Sequence, residues 1–120
     1  MILRPGLSLE GALNAVSTSQ NMDVTVDYLD YNVQGMPTVP ATFVTTTLGT
    51  TTVTFLPAPT SGPAREPVRI SIYNADSAAK TLTLRTKDAG TSTTKVILNV
   101  STSTLKSLLW EKGTQWQFNV

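Results

Sequence analysis

Threonine alternating with aliphatic residues is the strongest structural signal in this chain. The sequence contains 21 threonines and 10 serines among 120 residues, whereas only 14% of its residues are charged. Threonine is β-branched, and β-branched side chains suit a pleated surface better than a helix. Strict alternation of apolar and polar residues indicates strands that bury one face. The pattern therefore predicts an all-β fold whose outer faces carry hydroxyl groups instead of charges.

Short alternating segments recur about every ten residues, with turn residues between them. The clearest is 22–29, and the later ones are ATFVTTT and TTTVTF on either side of Gly49, VRISIYN, TLTLRTK, TKVILNV, LKSLLW and QWQFNV. Proline and glycine mark 30–40 and 56–67 as loops. This spacing predicts a single β-sandwich, either jelly-roll or immunoglobulin-like in strand order.

The first 21 residues differ from the rest, and they predict an extended N-terminal arm on a sandwich domain that spans 22–120. Pro5 and Gly6 interrupt the start of the segment. The apolar residues that follow fit either a strand or one helical turn, because periodicity alone does not separate the two. No apolar run has the length of a signal peptide or a membrane span. We therefore expect a soluble, unprocessed chain with no membrane partner.

Several kinds of chemistry are excluded by composition. Cysteine and histidine are both absent, so disulfides, thiolate metal sites and Ser-His-Asp or Cys-His catalysis are impossible. The nine basic residues are scattered and the net charge is +1, which argues against a nucleic-acid partner. No phosphate-binding glycine motif is present. We expect no enzyme activity and no cofactor.

Three aspartates form the nearest approach to a metal site. Asp23 and Asp27 share one face of a predicted strand, where a separation of four residues places them roughly 13 Å apart. Asp30 and Asn32 could ligate calcium with backbone oxygens, but their spacing matches no dedicated calcium loop. Solvated surface charges are the favoured interpretation, and no metal site is predicted.

Aromatic and apolar residues supply the candidates for a protein interface. Trp116 and Phe118 alternate with polar residues, so both are expected to face the core. Trp110, at a strand end, and Tyr31, in a loop, are expected to contact partners, as these residue types often do. The proposed partner-binding set combines these two with the apolar residues of the arm: Ile2, Leu3, Leu7, Leu9, Leu13, Tyr31 and Trp110.

The C-terminal half resembles the small β-sandwich proteins of tailed-bacteriophage virions. The resemblance is carried by PVRISIYNADSAAKTLTLRTK, TKVILNV and LKSLLWEKGTQWQF, preceded by TTTLGTTTVTFLPAP, and it covers roughly residues 45–118. In such chains a strand ends in asparagine, as at Asn74, before a short Asp/Ser/Ala turn. STST at 101–104 departs from the pattern, because a glycine turn usually precedes the leucine strand.

The resemblance implies a non-enzymatic virion part. Its most specific form is a capsid decoration, or cement, protein that binds and stabilises the major capsid shell as a homotrimer, assembled in the host cytoplasm. The alternatives are a tail, neck or baseplate component and a receptor- or carbohydrate-binding module of a phage fibre. A small hydrolase built on the aspartates ranks last.

Overall fold

The computed structural model describes residues 1–37, 42–60, 62–104 and 106–119. Nine β-strands account for its secondary structure, and the described residues contain no helix. The strands are β1 (Leu7–Leu13), β2 (Met22–Tyr31), β3 (Thr42–Leu48), β4 (Val53–Leu56), β5 (Ala64–Asn74), β6 (Lys80–Asp88), β7 (Thr93–Thr102), β8 (Lys106–Glu111) and β9 (Gln117–Asn119). The prediction of an all-β protein is confirmed.

The strands form two antiparallel sheets that pack together. One sheet has four strands in the order β4-β1-β6-β7, and the other has five in the order β3-β2-β5-β8-β9. Three hairpins join neighbours within a sheet (β2–β3, β6–β7 and β8–β9), while every other connection crosses between the sheets. The first two strands therefore lie in opposite sheets.

The core consists of the inward residues that the alternation predicts. On β2, Met22, Val24 and Val26 are fully buried, and on β5 Ile70 and Ile72 are buried beside them. Burying one such side chain contributes about 1.5–3 kcal/mol. Further buried residues come from both sheets, which makes the core a single one: Leu9, Leu13, Leu48, Phe55, Leu56, Leu82, Leu84, Leu108 and Trp110.

The structure does not confirm an extended N-terminal arm. Residues 7–13 form β1, which lies between β4 and β6 and pairs with both. Upstream, Leu3 is buried and exchanges two backbone hydrogen bonds with Arg65, its N–H donating at 2.7 Å and its carbonyl accepting at 2.8 Å. An isolated arm would leave these backbone groups and leucines in water, whereas the sheet satisfies both. Residues 3–13 thus belong to the same core as the rest.

Gly11 shows how closely β1 approaches the core. A Cβ at this position would lie 3.0 Å from Leu84 Cδ2 and 3.2 Å from Leu48 Cδ2. These contacts come from both sheets, so β1 packs closely against the core at this position. Here glycine allows the close approach that a larger residue would prevent.

Two other predictions need correction. The loop predicted over 56–67 is shorter, because β5 already begins at Ala64. The alternation in TKVILNV predicts that Val96 shares a face with Leu98 and Val100, but the β6–β7 register shifts after Leu84 and leaves Val96 56% exposed. Such a bulge reverses the side-chain alternation beyond it. Part of the predicted 30–40 loop, residues 38–40, lies outside the described residues, as does Val120.

Candidate functional site

An ionic cluster lies where β2 ends and β5 begins. The antiparallel register places Leu29 opposite Glu66, and Glu66 is buried although it carries a carboxylate. Lys112 Nζ donates to Glu66 Oε1 at 2.7 Å, and the Tyr31 hydroxyl donates to the same oxygen at 2.8 Å. Each partner satisfies part of the hydrogen-bonding capacity that burial removes from water.

The contacts in this cluster shift the pKa values in directions that favour the ion pair. The Lys112 ammonium, aided by the Tyr31 hydroxyl, lowers the pKa of Glu66. The bond to Glu66 raises the pKa of Lys112 and of Tyr31. A carboxylate with a lowered pKa is a weak base, and an amine with a raised pKa is a weak nucleophile. The cluster therefore links the end of β2, the start of β5 and the residue after β8, and it is poorly suited to proton transfer.

A second ion pair lies directly beside the first. Arg65 donates from Nε and Nη2 to the two Asp30 oxygens at 2.7 and 3.0 Å, which is a bidentate pairing. Its guanidinium carbon also lies 4.5 Å from the centroid of the Tyr28 ring, within cation–π range. Asp30, which the sequence offered as a calcium ligand, is thus engaged by arginine.

The three candidate aspartates are not gathered into a site. Asp23 accepts a hydrogen bond from the Thr47 hydroxyl at 2.8 Å, and Asp27 lies opposite Arg69 in the sheet. Among the described residues, no group of three acidic side chains is placed to hold a metal ion. The aspartates instead lie along β2, spaced by the strand.

A buried aspartate organises the turn between β5 and β6. Asp76 Oδ1 accepts the backbone N–H groups of Thr18, Ser19 and Gln20 at 3.1, 2.7 and 3.2 Å. Lys80 Nζ donates to Asp76 Oδ2 at 2.8 Å, with both side chains buried. The ammonium and these N–H groups hold the pKa of Asp76 well below its usual range. These hydrogen bonds hold the loop after β1, residues 14–21, against the turn between β5 and β6.

Asn74, the asparagine singled out in the sequence, explains why this turn keeps its shape. It is fully buried, and its Oδ1 accepts the N–H of Asp76 at 3.1 Å. Its Nδ2 donates to the carbonyls of Ala78 and Thr102 at 3.1 and 3.0 Å. One side chain therefore joins the β5–β6 turn to the end of β7, which is a structural role.

A cleft of about 520 Å³ lies between the loop after β1 and the β3–β4 turn. Residues that line it include Val16, Asn21, Leu48 and Thr51, and its lining contains no ionisable side chain. An acid–base mechanism needs a titratable group within hydrogen-bond reach of a substrate. The polar side chains that line this cleft carry only hydroxyl and amide groups.

The structure separates the seven predicted partner-binding residues into two classes. Leu3, Leu9, Leu13 and Trp110 are buried in the core and cannot contact a partner in this fold. They were expected at an interface, but residues 7–13 form a central strand and Trp110 faces inward beside Leu108. The other three remain at the surface, with Ile2 59% exposed and Leu7 and Tyr31 half-buried.

Exposed apolar residues that the sequence did not single out occur elsewhere. Phe43, on the outer face of β3, is 70% exposed, and Phe118, expected in the core, is 48% exposed. Phe43 alternates in phase with the outward Thr45 and Thr47, so its orientation was readable from the sequence. Nothing in the local sequence reveals the exposure of Phe118. Its side chain points to the inner face, as the alternation predicts, but no described strand lies over it.

The edges of the sheets form the most distinctive surface. The edge strands are β4 and β7 in one sheet and β3 and β9 in the other. Together these four strands contain one charged side chain, Lys95, and no proline. Charges, prolines and short length are the usual protection of an edge against pairing with another chain. Only β4 and β9 are short, so β3 and β7 are long edges with almost no such protection.

Comparison with known proteins gives no assignment. No family model, no curated protein and no solved structure matches this chain. The described residues also contain no helix with the length and apolar character that crossing a bilayer requires.

Proposed function

We propose that this protein is a non-enzymatic structural component of a tailed-phage virion, and specifically a capsid decoration protein that binds the major capsid shell. The observation that carries the proposal is the near absence of charge on all four edge strands. A protein that stays alone in solution protects its edges, whereas one that assembles with others uses them.

The segments that resemble virion proteins coincide with strands of the structure. VRISIYN lies in β5, TLTLRTK in β6, TKVILNV in β7, and KSLLW with QF in β8 and β9. The Asp/Ser/Ala turn after the asparagine is held by the Asn74 contacts described above. The resemblance therefore rests on structural positions that fix turns and strands, which supports a scaffold role.

The strand order supports a jelly roll over an immunoglobulin-like order. Immunoglobulin sheets place the first two strands side by side, but here β1 and β2 lie in opposite sheets. A jelly roll, with strands lettered B to I, has sheets B-I-D-G and C-H-E-F. Taking β1–β6 as D to I, β7 as B and β8 as C reproduces every neighbour. We infer a circularly permuted jelly roll with β9 added at one edge.

Within this proposal the partner is the major capsid protein or another virion protein, and the working form is a homotrimer on the virion. A tail, neck or baseplate component is the alternative, since it would use the same edges. A receptor- or carbohydrate-binding module ranks lower. Sugar sites usually cluster aromatic rings, whereas the exposed rings of Phe43, Tyr73 and Phe118 lie on three separate strands.

Binding to purified phage particles tests the proposal. The purified chain is incubated separately with isolated heads and isolated tails of phage that lack it, and bound protein is measured by sedimentation. Light scattering gives the mass of the free chain. Saturable binding to heads by a trimer supports decoration. Binding to tails alone supports the alternative, and a monomer that binds neither refutes the virion role.

A further inference from the structure

The two sheets differ by one strand, and the difference falls at one side of the molecule. At the opposite side the sheets are aligned, because β3 and β4 contact each other. If this alignment continues across the sandwich, the sheet orders place β1 opposite β2, β6 opposite β5 and β7 opposite β8. The fifth strand, β9, then has no described strand opposite it.

The side chains at this side are only half covered, as a missing strand would leave them. Phe118 on β9 pairs with Leu108 on β8, and paired residues of antiparallel strands point to the same face. Leu108 is fully buried, but Phe118 is 48% exposed. The same contrast appears in the other sheet, where Leu98 is half-buried beside its fully buried partner Leu84.

The backbone of β7 is open at the same place. Within the described part of the chain, β7 pairs with β6 alone, along nearly its whole length. The N–H and C=O groups on its other side are thus available to a further strand. A strand added here would extend the four-stranded sheet to five and lie over Phe118.

We propose that β7 and β9 form a docking groove for a single extended segment of another protein, which adds as a strand beside β7 and covers Phe118. The inference takes from the proposed function only that the partner is a protein. A segment with apolar residues at alternate positions would place them on Phe118, Leu98 and Val100, while its backbone pairs with β7.

The projecting β9 strand decides against a second copy of this chain as the occupant. If two β7 strands paired about a two-fold axis, their two β8 strands would have to lie side by side in the layer below. The β9 strands already occupy that space. The same clash meets any whole two-sheet body whose edge strand approaches β7, so an extended segment fits and a folded copy does not.

Charge indicates the chemistry of one end of this segment. Lys95 lies near the start of β7, where the β6–β7 register pairs it with Thr86. Lys95 has no acidic partner in the described structure. A segment that runs antiparallel to β7 would bring its C-terminal end beside this lysine. We therefore expect acidic residues at that end of the partner segment.

A synthetic peptide tests the groove without knowledge of the natural partner. The probe is an acetylated peptide of alternating threonine and valine that ends in two glutamates. Its control has proline at every second position, which removes the backbone donors. Amide hydrogen exchange of the full-length protein, followed by NMR, reports which strand edge the peptide protects. We expect slower exchange in β7 with the probe and no change with the control peptide.

Two matched variants distinguish binding in this groove from non-specific peptide binding. Phe118→Ser should weaken peptide binding about fivefold, as expected for the loss of one well-packed contact side chain. Phe43→Ser, which removes an exposed ring from the opposite edge of the same sheet, should leave binding unchanged. Thermal unfolding of both variants verifies that they are folded.

Three results would overturn the proposal: protection of β3 or β4 instead of β7, equal weakening by both variants, or a dimer of the free chain that protects β7 and dissociates on dilution. The particle-binding experiment gives an independent answer. Peptide binding at β7 together with no binding to heads or tails would retain the groove and reject the virion role.

Discussion

Truncating Leu9 to alanine measures whether the N-terminal segment is part of the core. Leu9 is fully buried on β1, a strand with neighbours on both sides. The substitution removes three carbon atoms, which at about 0.8 kcal/mol for each buried CH₂ group lowers the free energy of unfolding by about 2.4 kcal/mol. The cavity left behind raises the loss to about 3–5 kcal/mol. This is a large share of the roughly 5–15 kcal/mol that stabilises a domain.

Urea unfolding provides the assay, with the fluorescence of buried Trp110 and half-buried Trp116 as the signal. We expect the transition midpoint of Leu9→Ala to fall with an unchanged slope. Ile2→Ala is the control, since Ile2 is 59% exposed and its truncation should cost less than about 0.5 kcal/mol. If Leu9→Ala also cost less than that, residues 7–13 would be a detachable arm, and the assignment of β1 to the core would be refuted.

Three further predictions concern the polar contacts and one glycine. Because its ion pair lowers the pKa of Glu66 in the folded protein, that contribution to stability is present above the unfolded-state pKa of about 4.3 and disappears as the pH falls. Glu66→Gln should therefore reduce the loss of unfolding free energy between neutral and acidic pH; an unaltered pH dependence would contradict this. Asp76→Asn should speed amide exchange in the loop after β1, whereas Asp23→Asn on the outer face should not. Equal exchange rates in both variants would show that Asp76 does not hold this loop in place. Gly62→Ala should lower the melting temperature, because a Cβ there would lie 2.2 Å from a backbone carbonyl oxygen. Gly49→Ala should leave the melting temperature unchanged, because a Cβ at Gly49 would meet no atom within 4 Å. Calorimetry of both variants measures the two melting temperatures; an equal fall in both would contradict this explanation.

Much of the local structure was predictable from the sequence because side-chain alternation is a local property. The β2 pattern placed Met22 and Val24 inward, and the β6 pattern did the same for Leu82 and Leu84; all four are buried. Turn residues located most strand ends. The absence of histidine and cysteine restricted the possible chemistry before any fold was known.

The ion pairs and buried polar contacts were less predictable, because they join residues that are far apart in the sequence. The Glu66–Lys112 pair joins residues 46 positions apart, and no spacing rule links them. The sequence likewise gave no sign that Asp76 would bind the backbone of Thr18 and Ser19.

Sequence alone determined that the chain forms strands, which residues share a face within a strand that has no bulge, and that the surface carries hydroxyls more than charges. Tertiary structure decided which strands become central and which become edges. An alternating pattern lies in the middle of a sheet at Leu9 and at an open edge at Phe118, where the side chain is 48% exposed. The reason is physical: periodicity fixes the direction of a side chain relative to its own backbone, whereas burial depends on whether another strand lies opposite.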